Sequence, residues 1–489
     1  MSFRIAFIGA GSIEFTRKLV ADLLSVPEFA AVELAFTDID AGQLAMVAEL
    51  CRRDIAHNRL AARVVETTDR RAALAGARYV FCVVRVGGLE AFRTDIDIPL
   101  RYGVDQCVGD TLCAGGLMYA QRGIAALLDF CRDIREVAEP GCLLLNYANP
   151  MAMLTWAANV HGGVRCVGLC HGVQHGAHQI AEVLGLASHE LDYICAGINH
   201  QTWFVDVRAR GRRVDGEELL AAFERHPVFS RTEKCRIDVL RRFGVYSTES
   251  NGHLSEYLMW YRKRPAEIAR WCDLEFWVHG ETGGYLRVCT EGRDWFEKTF
   301  RAGAEGHPPL DYATRPRSDE HGAFILEALE TGRVYRGHFN LPNAGSITNL
   351  PADAVVEVPG YVDRHGIHPL QVGELPPGCA AVCTQSVSVQ RLGVLAAISG
   401  DVALLKQAML LDPLVGAVCN PPEVWRLADE MLVAQARWLP QYAHAIPAAK
   451  ARLRDEPAPA LTPAPGYRLS AEERARRSQA AQIADRDTR

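Results

Sequence analysis

The first 40 residues carry the pattern that most restricts the fold of this chain. A short apolar stretch at 3–8 runs directly into the turn Gly9–Ser12, and a helical pattern over 15–24 leads to a second apolar stretch at 32–36. Strand, tight glycine turn, helix and strand in this order indicate a βαβ unit, whose helix amino terminus can approach a pyrophosphate. The pattern therefore predicts an α/β fold that begins with a Rossmann-type, doubly wound sheet.

The glycine turn and the acidic residue that follows it predict a dinucleotide site. Asp38 comes after the second predicted strand, where its carboxylate can accept hydrogen bonds from an adenosine ribose and would repel the 2′-phosphate of NADP. Glu14 replaces the third glycine of the usual fingerprint, so a phosphate-free βαβ unit is the alternative interpretation. We predict NAD as the cofactor, bound by Gly9, Gly11, Ser12, Asp38 and Gly87, the last in a second glycine turn on the same sheet edge.

Composition excludes several classes of protein. The chain has 489 residues, of which 49% are hydrophobic and 23% charged, as expected for a globular protein of two or three domains. A net charge of −6 argues against a broad basic surface for nucleic acid, and we find no apolar run near the roughly 20 residues that span a bilayer. The amino terminus lacks the features of a secretory signal. Together with 15 scattered cysteines, these observations predict a cytoplasmic protein without nucleic-acid or membrane partners.

Soft and polar residues end several predicted strands. Cys170 and His171 follow the apolar run 166–169, and His200 ends a second such run. Thiolate and imidazole together suit a first-row divalent metal, so we predict Cys170 and His200 as ligands. The alternative is a buried cysteine and a hydrogen-bonded histidine. Asn149 also ends a strand, where open α/β sheets bind ligands, although a simple helix cap would look the same.

Beyond residue 195 the pattern changes to mixed strands and helices. We predict strands at 200–208, 355–362 and 380–384, and helices at 239–243, 254–263, 319–329 and 387–411. The last residues are rich first in proline and alanine and then in charge, which is typical of a mobile segment. The predicted division is a Rossmann domain at 1–195, a mixed α+β catalytic domain at 196–450 and a mobile tail at 451–489.

Eight short motifs occur in order along the chain. They are Gly9-Ala10-Gly11-Ser12, Asp38-Ile39-Asp40, Val86-Gly87-Gly88, Asp110-Thr111, Asn149-Pro150, Cys170-His171-Gly172-Val173, Gly197-Ile198-Asn199-His200 and Tyr257-Leu258-Met259-Trp260-Tyr261. In this order they resemble glycoside hydrolase family 4, the NAD- and manganese-dependent glycosidases, from Met1 to about Leu439. The resemblance implies a lactate/malate dehydrogenase-like Rossmann domain, a mixed α+β catalytic region and assembly into homodimers or homotetramers.

The resemblance also implies roles for individual residues. Cys170 and His200 match the family's metal ligands, and Tyr257 matches a tyrosine proposed as the catalytic base. His171 stands where some members carry an aspartate proposed as the acid. Asp110, Asn149 and Arg262 are expected to contact the substrate, and Arg262 or the metal would lower the pKa of Tyr257. Two positions depart from the family pattern, because Cys113 replaces a glycine and Tyr119 an arginine.

The chemistry implied by the resemblance is a redox-assisted elimination. A hydride moves from sugar C3 to NAD, the acidified C2 proton is removed, the C1 oxygen leaves, water adds, and the hydride returns. The form Cys170-His171-Gly172 is associated with α-glucuronidases and α-galacturonidases, whereas other motifs favour the α-galactosidase branch. The expected substrate is therefore an unphosphorylated α-galactoside or α-glycosiduronate.

Two other functions remain open on the sequence alone. A lactate/malate-type NAD-dependent dehydrogenase would share the amino-terminal half but would need no metal and would release NADH in every cycle. A non-enzymatic, NAD-sensing protein would bind the dinucleotide without turnover of any glycoside.

Overall fold

A single sheet runs through the molecule. The computed structural model describes residues 1–301 and 307–461, together with 463, 465, 466, 473 and 476. Within these residues, thirteen strands form one sheet. The predicted mobility of the tail falls largely outside them.

Six parallel strands form the amino-terminal half of the sheet. They are β1 (Arg4–Ile8), β2 (Glu33–Thr37), β3 (Arg63–Glu66), β4 (Ala77–Cys82), β5 (Leu143–Asn146) and β6 (Arg165–Gly168). Their spatial order is β3-β2-β1-β4-β5-β6, with every pair parallel. This is the Rossmann order, in which ligands bind at the carboxyl ends of the strands near the β1/β4 reversal. The predicted Rossmann-type sheet is confirmed.

Seven further strands continue the same sheet in antiparallel pairs. They are β7 (Leu191–Ile198), β8 (Gln201–Ala209), β9 (Arg212–Arg213), β10 (Tyr246–Ser247), β11 (Tyr335–Pro342), β12 (Val355–Asp363) and β13 (Gly366–Pro369). Asn340 of β11 pairs with Gly168 of β6, and Glu357 of β12 pairs with Gly197 of β7. The predicted domain boundary at residue 195 therefore lies inside β7, and the division stays a prediction.

Nineteen α-helices pack around the sheet in the described residues. They are α1 (Ile13–Leu24), α2 (Ala41–His57), α3 (Arg70–Leu74), α4 (Gly88–Arg101), α5 (Cys113–Val137), α6 (Met151–Ala157), α7 (Gly172–Val183), α8 (Gly216–Arg225), α9 (Phe229–Thr232), α10 (Lys234–Phe243), α11 (Asn251–Tyr257), α12 (Ile268–Trp271), α13 (Gly284–Arg301), α14 (His321–Thr331), α15 (Pro377–Ser399), α16 (Val402–Leu411), α17 (Pro413–Val418), α18 (Pro421–Ala434) and α19 (Ile446–Asp455).

The parallel strands are apolar on both faces. In β1, Ile5 and Phe7 join one hydrophobic cluster with α1 and α2, whereas Ala6 and Ile8 join another with α5. Successive side chains of a strand point to opposite faces, so a strand covered by helices on both sides must be apolar throughout. Burial of both faces makes the sheet a rigid base for the loops at its carboxyl edge.

Three local predictions were wrong. Residues 380–384 are part of α15, because Cys379, Cys383 and Val387 recur at helical spacing and are all fully buried. The predicted helix at 254–263 ends at Tyr257, since Leu258 has an extended backbone. The predicted helix at 387–411 is two helices, α15 and α16, which are separated by a left-handed Gly400.

One helix, α15, is long and apolar enough to cross a membrane by length and composition. Half of its most apolar window is buried inside the molecule. Core helices of globular proteins meet the same criterion, so this helix is weak evidence for a membrane span.

Candidate active site

A cavity of about 400 Å³ opens at the carboxyl edge of the parallel strands. The loops after β1, β4, β5 and β6 form one side, and α13 with the segment before α11 closes the other. Residues that line it include Ser12, Phe15, Val84, Arg85, Asp110, Tyr119, Asn149, Cys170, His171, His200, Glu249, His253, Trp277 and Tyr285. The cavity thus lies where an open α/β sheet binds ligands, and six of the twelve predicted site residues line it.

The glycine turn is built for close approach. Gly9 has φ +88°, and a Cβ there would lie 2.8 Å from Val84 Cγ1. The Gly11 amide donates to Asp38 Oδ2 at 2.8 Å, which fixes the Asp38 carboxylate beside the turn. Helix α1 then starts with its free amide groups at the cavity, an arrangement that attracts a pyrophosphate. These residues fit a dinucleotide.

Gly87 lies in a second glycine turn, at the start of α4. It precedes α4 with φ +85°, and a Cβ there would lie 2.4 Å from Ala91 Cβ. Gly87 is not among the residues that line the cavity. Gly9, Gly11 and Asp38 also lie outside this lining, so the contact of Gly87 with NAD stays a prediction.

Two overlapping sets of metal-binding side chains meet in the cavity. One set is Cys170, His200 and Glu249, and the other is Asp110, His200 and His253, with donor atoms within 4.8 Å of one another in each set. The sequence predicted Cys170 and His200 but missed Glu249 and His253. Sulfur, imidazole and carboxylate donors in one cluster fit a first-row divalent metal.

Glu249 lies at the centre of this cluster. The Cys170 thiol donates to Glu249 Oε1 at 3.2 Å, and His200 Nε2 lies 3.8 Å from the same oxygen. His253 Nδ1 lies 3.7 Å from Glu249 Oε2. His200 and Glu249 both have left-handed backbones, with φ of 63° and 66°. Such a conformation costs free energy in non-glycine residues and is concentrated at functional sites.

Burial and neighbouring charges shift the pKa values of two side chains in the cluster, Glu249 and Cys170. Burial opposes ionisation of Glu249, but the imidazoles of His200, His253 and His171 together hold the pKa of its carboxyl below the ordinary value. Burial, and then the Glu249 and Glu357 carboxylates, raise the pKa of the Cys170 thiol well above its ordinary value. A bound metal ion reverses this effect, because a coordinated thiol loses its proton.

Asp110 and Asn149 are linked to His200 by hydrogen bonds. Asn149 Nδ2 donates to Asp110 Oδ2 at 2.8 Å, and the Thr111 hydroxyl donates to Asp110 Oδ1 at 2.8 Å. Thr111 Oγ1 also lies 2.8 Å from His200 Nδ1, which fixes the ring orientation. The loop after α4 and the strand end of β5 therefore hold these two predicted substrate contacts against the metal cluster.

His171 lies next to the metal cluster but faces solvent. Its Nδ1 lies 3.3 Å from Glu320 Oε1, and the Lys18 ammonium group donates to the same oxygen at 3.0 Å. Burial lowers the pKa of His171, but the contact with Glu320 outweighs it and leaves the pKa above its ordinary value. The contact with Glu320 therefore favours the protonated form of this imidazole.

Tyr257 packs against the metal cluster through the ring of His200. Its ring stacks on His200 with centroids 6.3 Å apart, and its hydroxyl is buried without a hydrogen-bond partner among the described residues. Tyr257 is not among the cavity-lining residues. Burial, followed by the Asp110 and Glu256 carboxylates, raises its pKa well above the ordinary value. A nearby cation is therefore required if this hydroxyl is to act as a base.

The structure places Arg262 outside the cavity. Its guanidinium group is fully buried, forms an ion pair with the buried Asp105, and donates to the Gly280 carbonyl at 3.0 Å. The predicted contact with substrate and the predicted influence on Tyr257 are not supported by this placement. A buried arginine needs several acceptors, and Asp105 meets that need from far along the chain.

Arg85 is a cavity residue that the sequence did not reveal. Its guanidinium lies over the Phe92 ring at 4.1 Å and the Tyr119 ring at 4.6 Å. Its Nη1 atom is buried and has no hydrogen-bond partner among the described residues. Tyr119, which replaces the family arginine, thus packs against another arginine that lines the same cavity.

The second departure from the family pattern has a structural consequence. Cys113 has φ +60°, a left-handed conformation in which glycine is favoured, and its amide donates to Asp412 Oδ2 at 2.8 Å. Its thiol donates to the Glu256 carbonyl, so Cys113 lies behind the cavity.

Comparison with known proteins agrees with this geometry. The model described as "Family 4 glycosyl hydrolase" matches residues 4–186, and that described as "Family 4 glycosyl hydrolase C-terminal domain" matches residues 195–415. An α-galactosidase of Rhizobium meliloti is 66% identical over 92% of each chain. An α-galactosidase of Bacillus subtilis is 32% identical over 90% of this chain and 99% of its own.

Solved structures show the same fold. A 6-phospho-α-glucosidase from gut microorganisms, in complex with NAD and glucose-6-phosphate, has 25% identity and a TM-score of 0.72 over 90% of this chain and 99% of its own. A 6-phospho-β-glucosidase of Thermotoga maritima, with manganese, NAD+ and glucose-6-phosphate, has 24% identity and a TM-score of 0.73 over 89% and 99%. With both family models matched along most of its length, this chain belongs to the family 4 glycosyl hydrolases.

Proposed function

We propose that this protein is an α-galactosidase that uses NAD and a divalent metal ion as cofactors. Family membership makes it a glycosidase, and relatives that are 66% and 32% identical are named α-galactosidases. The observation that carries the galactoside assignment is the 66% identity to an α-galactosidase over 92% of both chains. Proteins that are 66% identical share more of their substrate pocket than proteins that are 32% identical. The relative at 32% identity is also named an α-galactosidase.

The NAD site is assigned to the turn Gly9–Ser12, the start of α1 and Asp38. The glycine conformation and the fixed Asp38 carboxylate support pyrophosphate and ribose binding, respectively. A solved relative of 25% identity contains NAD, as its description states. When bound, NAD supplies a reversible hydride acceptor, and the protein supplies the orientation.

The metal site is assigned to Cys170, His200 and Glu249, with Asp110 and His253 on its other side. The donor set of this chain, and not the manganese of a distant relative, carries the assignment. When bound, the ion supplies a Lewis acid next to the sugar hydroxyls. Asp110 and Asn149 lie beside it, where they can accept from and donate to those hydroxyls.

His171 and Tyr257 are assigned to proton transfer. His171 lines the cavity, and its contact with Glu320 favours the protonated imidazole, which supports a role in protonating the departing oxygen on C1. Tyr257 stacks on the ring of His200, and its hydroxyl has no hydrogen-bond partner among the described residues, which supports a role in removal of the C2 proton. The positive charge of the occupied metal site would favour the phenolate.

A second substrate class, the α-galacturonides, is favoured by one observation. Arg85 lines the cavity with a buried Nη1 that lacks a partner, and a sugar carboxylate would pair with it. Neutral galactose would instead accept single hydrogen bonds from the same group. The two substrates therefore differ in how strongly they should depend on Arg85.

We also propose that the protein is cytoplasmic, that it forms a homo-oligomer and that its domains divide near residue 195. All fifteen cysteines are free thiols, most of them buried, which fits a reducing cytoplasm. Family membership supports assembly into homodimers or homotetramers. The change from parallel to antiparallel strands supports a domain division near residue 195.

The test compares initial rates on methyl glycosides of α-galactose, α-galacturonic acid and α-glucose, with NAD, Mn²⁺ and a thiol reductant. We expect the highest kcat/KM for the galactoside and no net accumulation of NADH. A higher kcat/KM for the galacturonide, lost in Arg85→Gln, would replace the proposal by the second substrate class. Net NADH without sugar release would indicate a dehydrogenase.

A further inference from the structure

Part of the lining of the active-site cavity is aromatic and takes no part in the assignments above. Trp277 and Tyr285 both line the cavity, and their rings stack with centroids 4.8 Å apart. Both side chains are only partly buried, so each keeps surface that a ligand can contact. We refer to Trp277 and Tyr285 as the aromatic wall.

The aromatic wall is held in place by the chain around Trp277. The Cys107 thiol donates to the Trp277 carbonyl at 2.8 Å. A Cβ on Gly284 would lie 2.8 Å from Trp277 Cβ, and a Cβ on Gly252 would lie 2.8 Å from the Trp277 carbonyl oxygen. Neighbouring backbone therefore packs tightly against this residue from two sides. A ligand that contacts the indole meets a surface that is already ordered, which favours binding.

The aromatic wall also lies beside the proposed metal site. His253 belongs to one of the two donor sets, and its ring centroid lies 5.9 Å from that of Trp277 at an interplanar angle of 65°. Gly252, which packs against the Trp277 carbonyl, directly precedes His253 in α11. A sugar bound at the metal site is therefore next to the indole.

We propose that Trp277, supported by Tyr285, determines specificity by packing against the C4–C6 edge of the galactosyl ring. This inference rests on the proposed function, in which the reaction takes place at C1 to C3. Those carbons must face the metal ion, NAD and the groups that transfer protons, so another part of the cavity has to hold the opposite edge of the ring. The aromatic wall offers a large apolar surface at the side of the metal site.

The configuration at C4 decides how well this edge of a hexose fits an aromatic ring. In galactose O4 is axial, so the hydrogens on C4 and C5 lie on the same face and form a continuous apolar patch with C6. In glucose O4 is equatorial and the C4 hydrogen lies on the other face, which divides the patch. The face of an aromatic ring is electronegative and attracts C–H groups. Contact with Trp277 therefore favours a galactoside over its C4 epimer.

Three substitutions test this contact. Trp277→Leu removes the aromatic face but keeps apolar bulk, whereas Trp277→Phe keeps a smaller aromatic ring. Trp295→Leu is the matched control, because Trp295 lies on α13 as Tyr285 does, is 51% exposed and is not among the cavity-lining residues. Melting temperatures of the three variants check that each is folded.

The first measured quantity is the ratio of kcat/KM for methyl α-galactoside to kcat/KM for methyl α-glucoside, with NAD, Mn²⁺ and a thiol reductant. We expect Trp277→Leu to lower this ratio about tenfold, near the upper end of the range for an aromatic contact. The loss should lie mainly in KM for the galactoside, because the contact is made in the substrate complex as well as in the transition state. Trp277→Phe should recover part of the ratio, and Trp295→Leu should keep the wild-type ratio.

The second measurement does not depend on turnover. Among the described residues that line the cavity, Trp277 is the one tryptophan. Galactose added to the reduced protein with NAD and Mn²⁺ should therefore change the tryptophan fluorescence of the wild type and of Trp295→Leu, but not that of Trp277→Phe.

Two results would overturn the role of Trp277 while leaving the proposed function intact. They are a wild-type ratio in folded Trp277→Leu and a wild-type fluorescence change in Trp277→Phe. A wild-type enzyme that does not prefer methyl α-galactoside to methyl α-glucoside would refute the proposed function, and the role of Trp277 with it.

Discussion

Replacement of Glu249 by glutamine should weaken metal binding strongly with little change in shape. Glu249 contacts Cys170, His200 and His253, each within 3.8 Å. Loss of a group that only orients ligands lowers metal affinity by about 10–100-fold. Because Glu249 also supplies a charged donor atom of its own, we expect its loss to reach the upper end of that range, about 2.7 kcal/mol.

The structure also predicts how this effect compares with that of a second substitution. His200 belongs to both donor sets, so its replacement cannot tell them apart, whereas Glu249 and Asp110 each belong to one. If the ion is held by the cysteine-containing set, Glu249→Gln should lower Mn²⁺ affinity more than Asp110→Asn does. Calorimetric titration of the NAD-loaded, reduced protein measures both affinities.

A matched control separates local from general effects. Glu330 is a partly buried glutamate that pairs with Arg78, away from the cavity, so Glu330→Gln should keep wild-type Mn²⁺ affinity. Unchanged Mn²⁺ affinity in a folded Glu249→Gln variant would refute the assignment of Glu249. If Asp110→Asn lowered Mn²⁺ affinity more than Glu249→Gln did, the ion would be assigned to the set Asp110, His200 and His253 instead.

Three further predictions concern single side chains. Asp38→Ala should weaken NAD binding by about 1.5–3 kcal/mol in a fluorescence titration, since a charged hydrogen-bond acceptor is lost, and unchanged affinity would exclude the ribose role. Tyr257→Phe should lower turnover by about 10²–10⁴ without lowering the melting temperature, because the hydroxyl removed has no partner to lose; near wild-type turnover would place the base elsewhere. Burial, and then the Glu249 carboxylate, raise the pKa of Glu357 from 4.5 to about 8, so the folded state holds this proton more tightly than the unfolded state. The Glu357 contribution to stability should therefore fall as pH rises from about 4.5 to about 8, and melting curves of Glu357→Gln should lack this decline; parallel curves would contradict it.

The residues that sequence reasoning identified have local signatures. Cys170 and His200 end apolar strands, and Asp38 follows a βαβ pattern, so each could be placed at the carboxyl edge of a sheet. The family resemblance was confirmed by the family models that match the chain. The NAD prediction agrees with the cofactor of a solved relative of 25% identity, and the metal prediction agrees with the donor set found here.

The residues that were missed depend on contacts between distant parts of the chain. Glu249 reaches Cys170 across 79 positions, and its left-handed backbone leaves no trace in the sequence. Arg262 was misplaced for the same reason, because its partner Asp105 lies 157 positions away.

The pairing of β6 with β11 was also beyond local reasoning. Gly168 pairs with Asn340 across more than 170 residues, and this contact joins the parallel and antiparallel parts into one sheet. Residues 380–384 were predicted wrongly for a local reason, because a short apolar run fits a strand or a buried helix equally well. Only packing of Cys379, Cys383 and Val387 against the core decides between them.

In the proposed function, Tyr257 and the metal cluster cleave the glycoside through removal of the C2 proton. The most direct measurement is hydrolysis of methyl α-galactoside in deuterium oxide with NAD and Mn²⁺, followed by NMR of the galactose formed. We expect deuterium at C2 of the product, together with NAD that remains oxidised after many turnovers. Galactose released without deuterium at C2 would contradict the account.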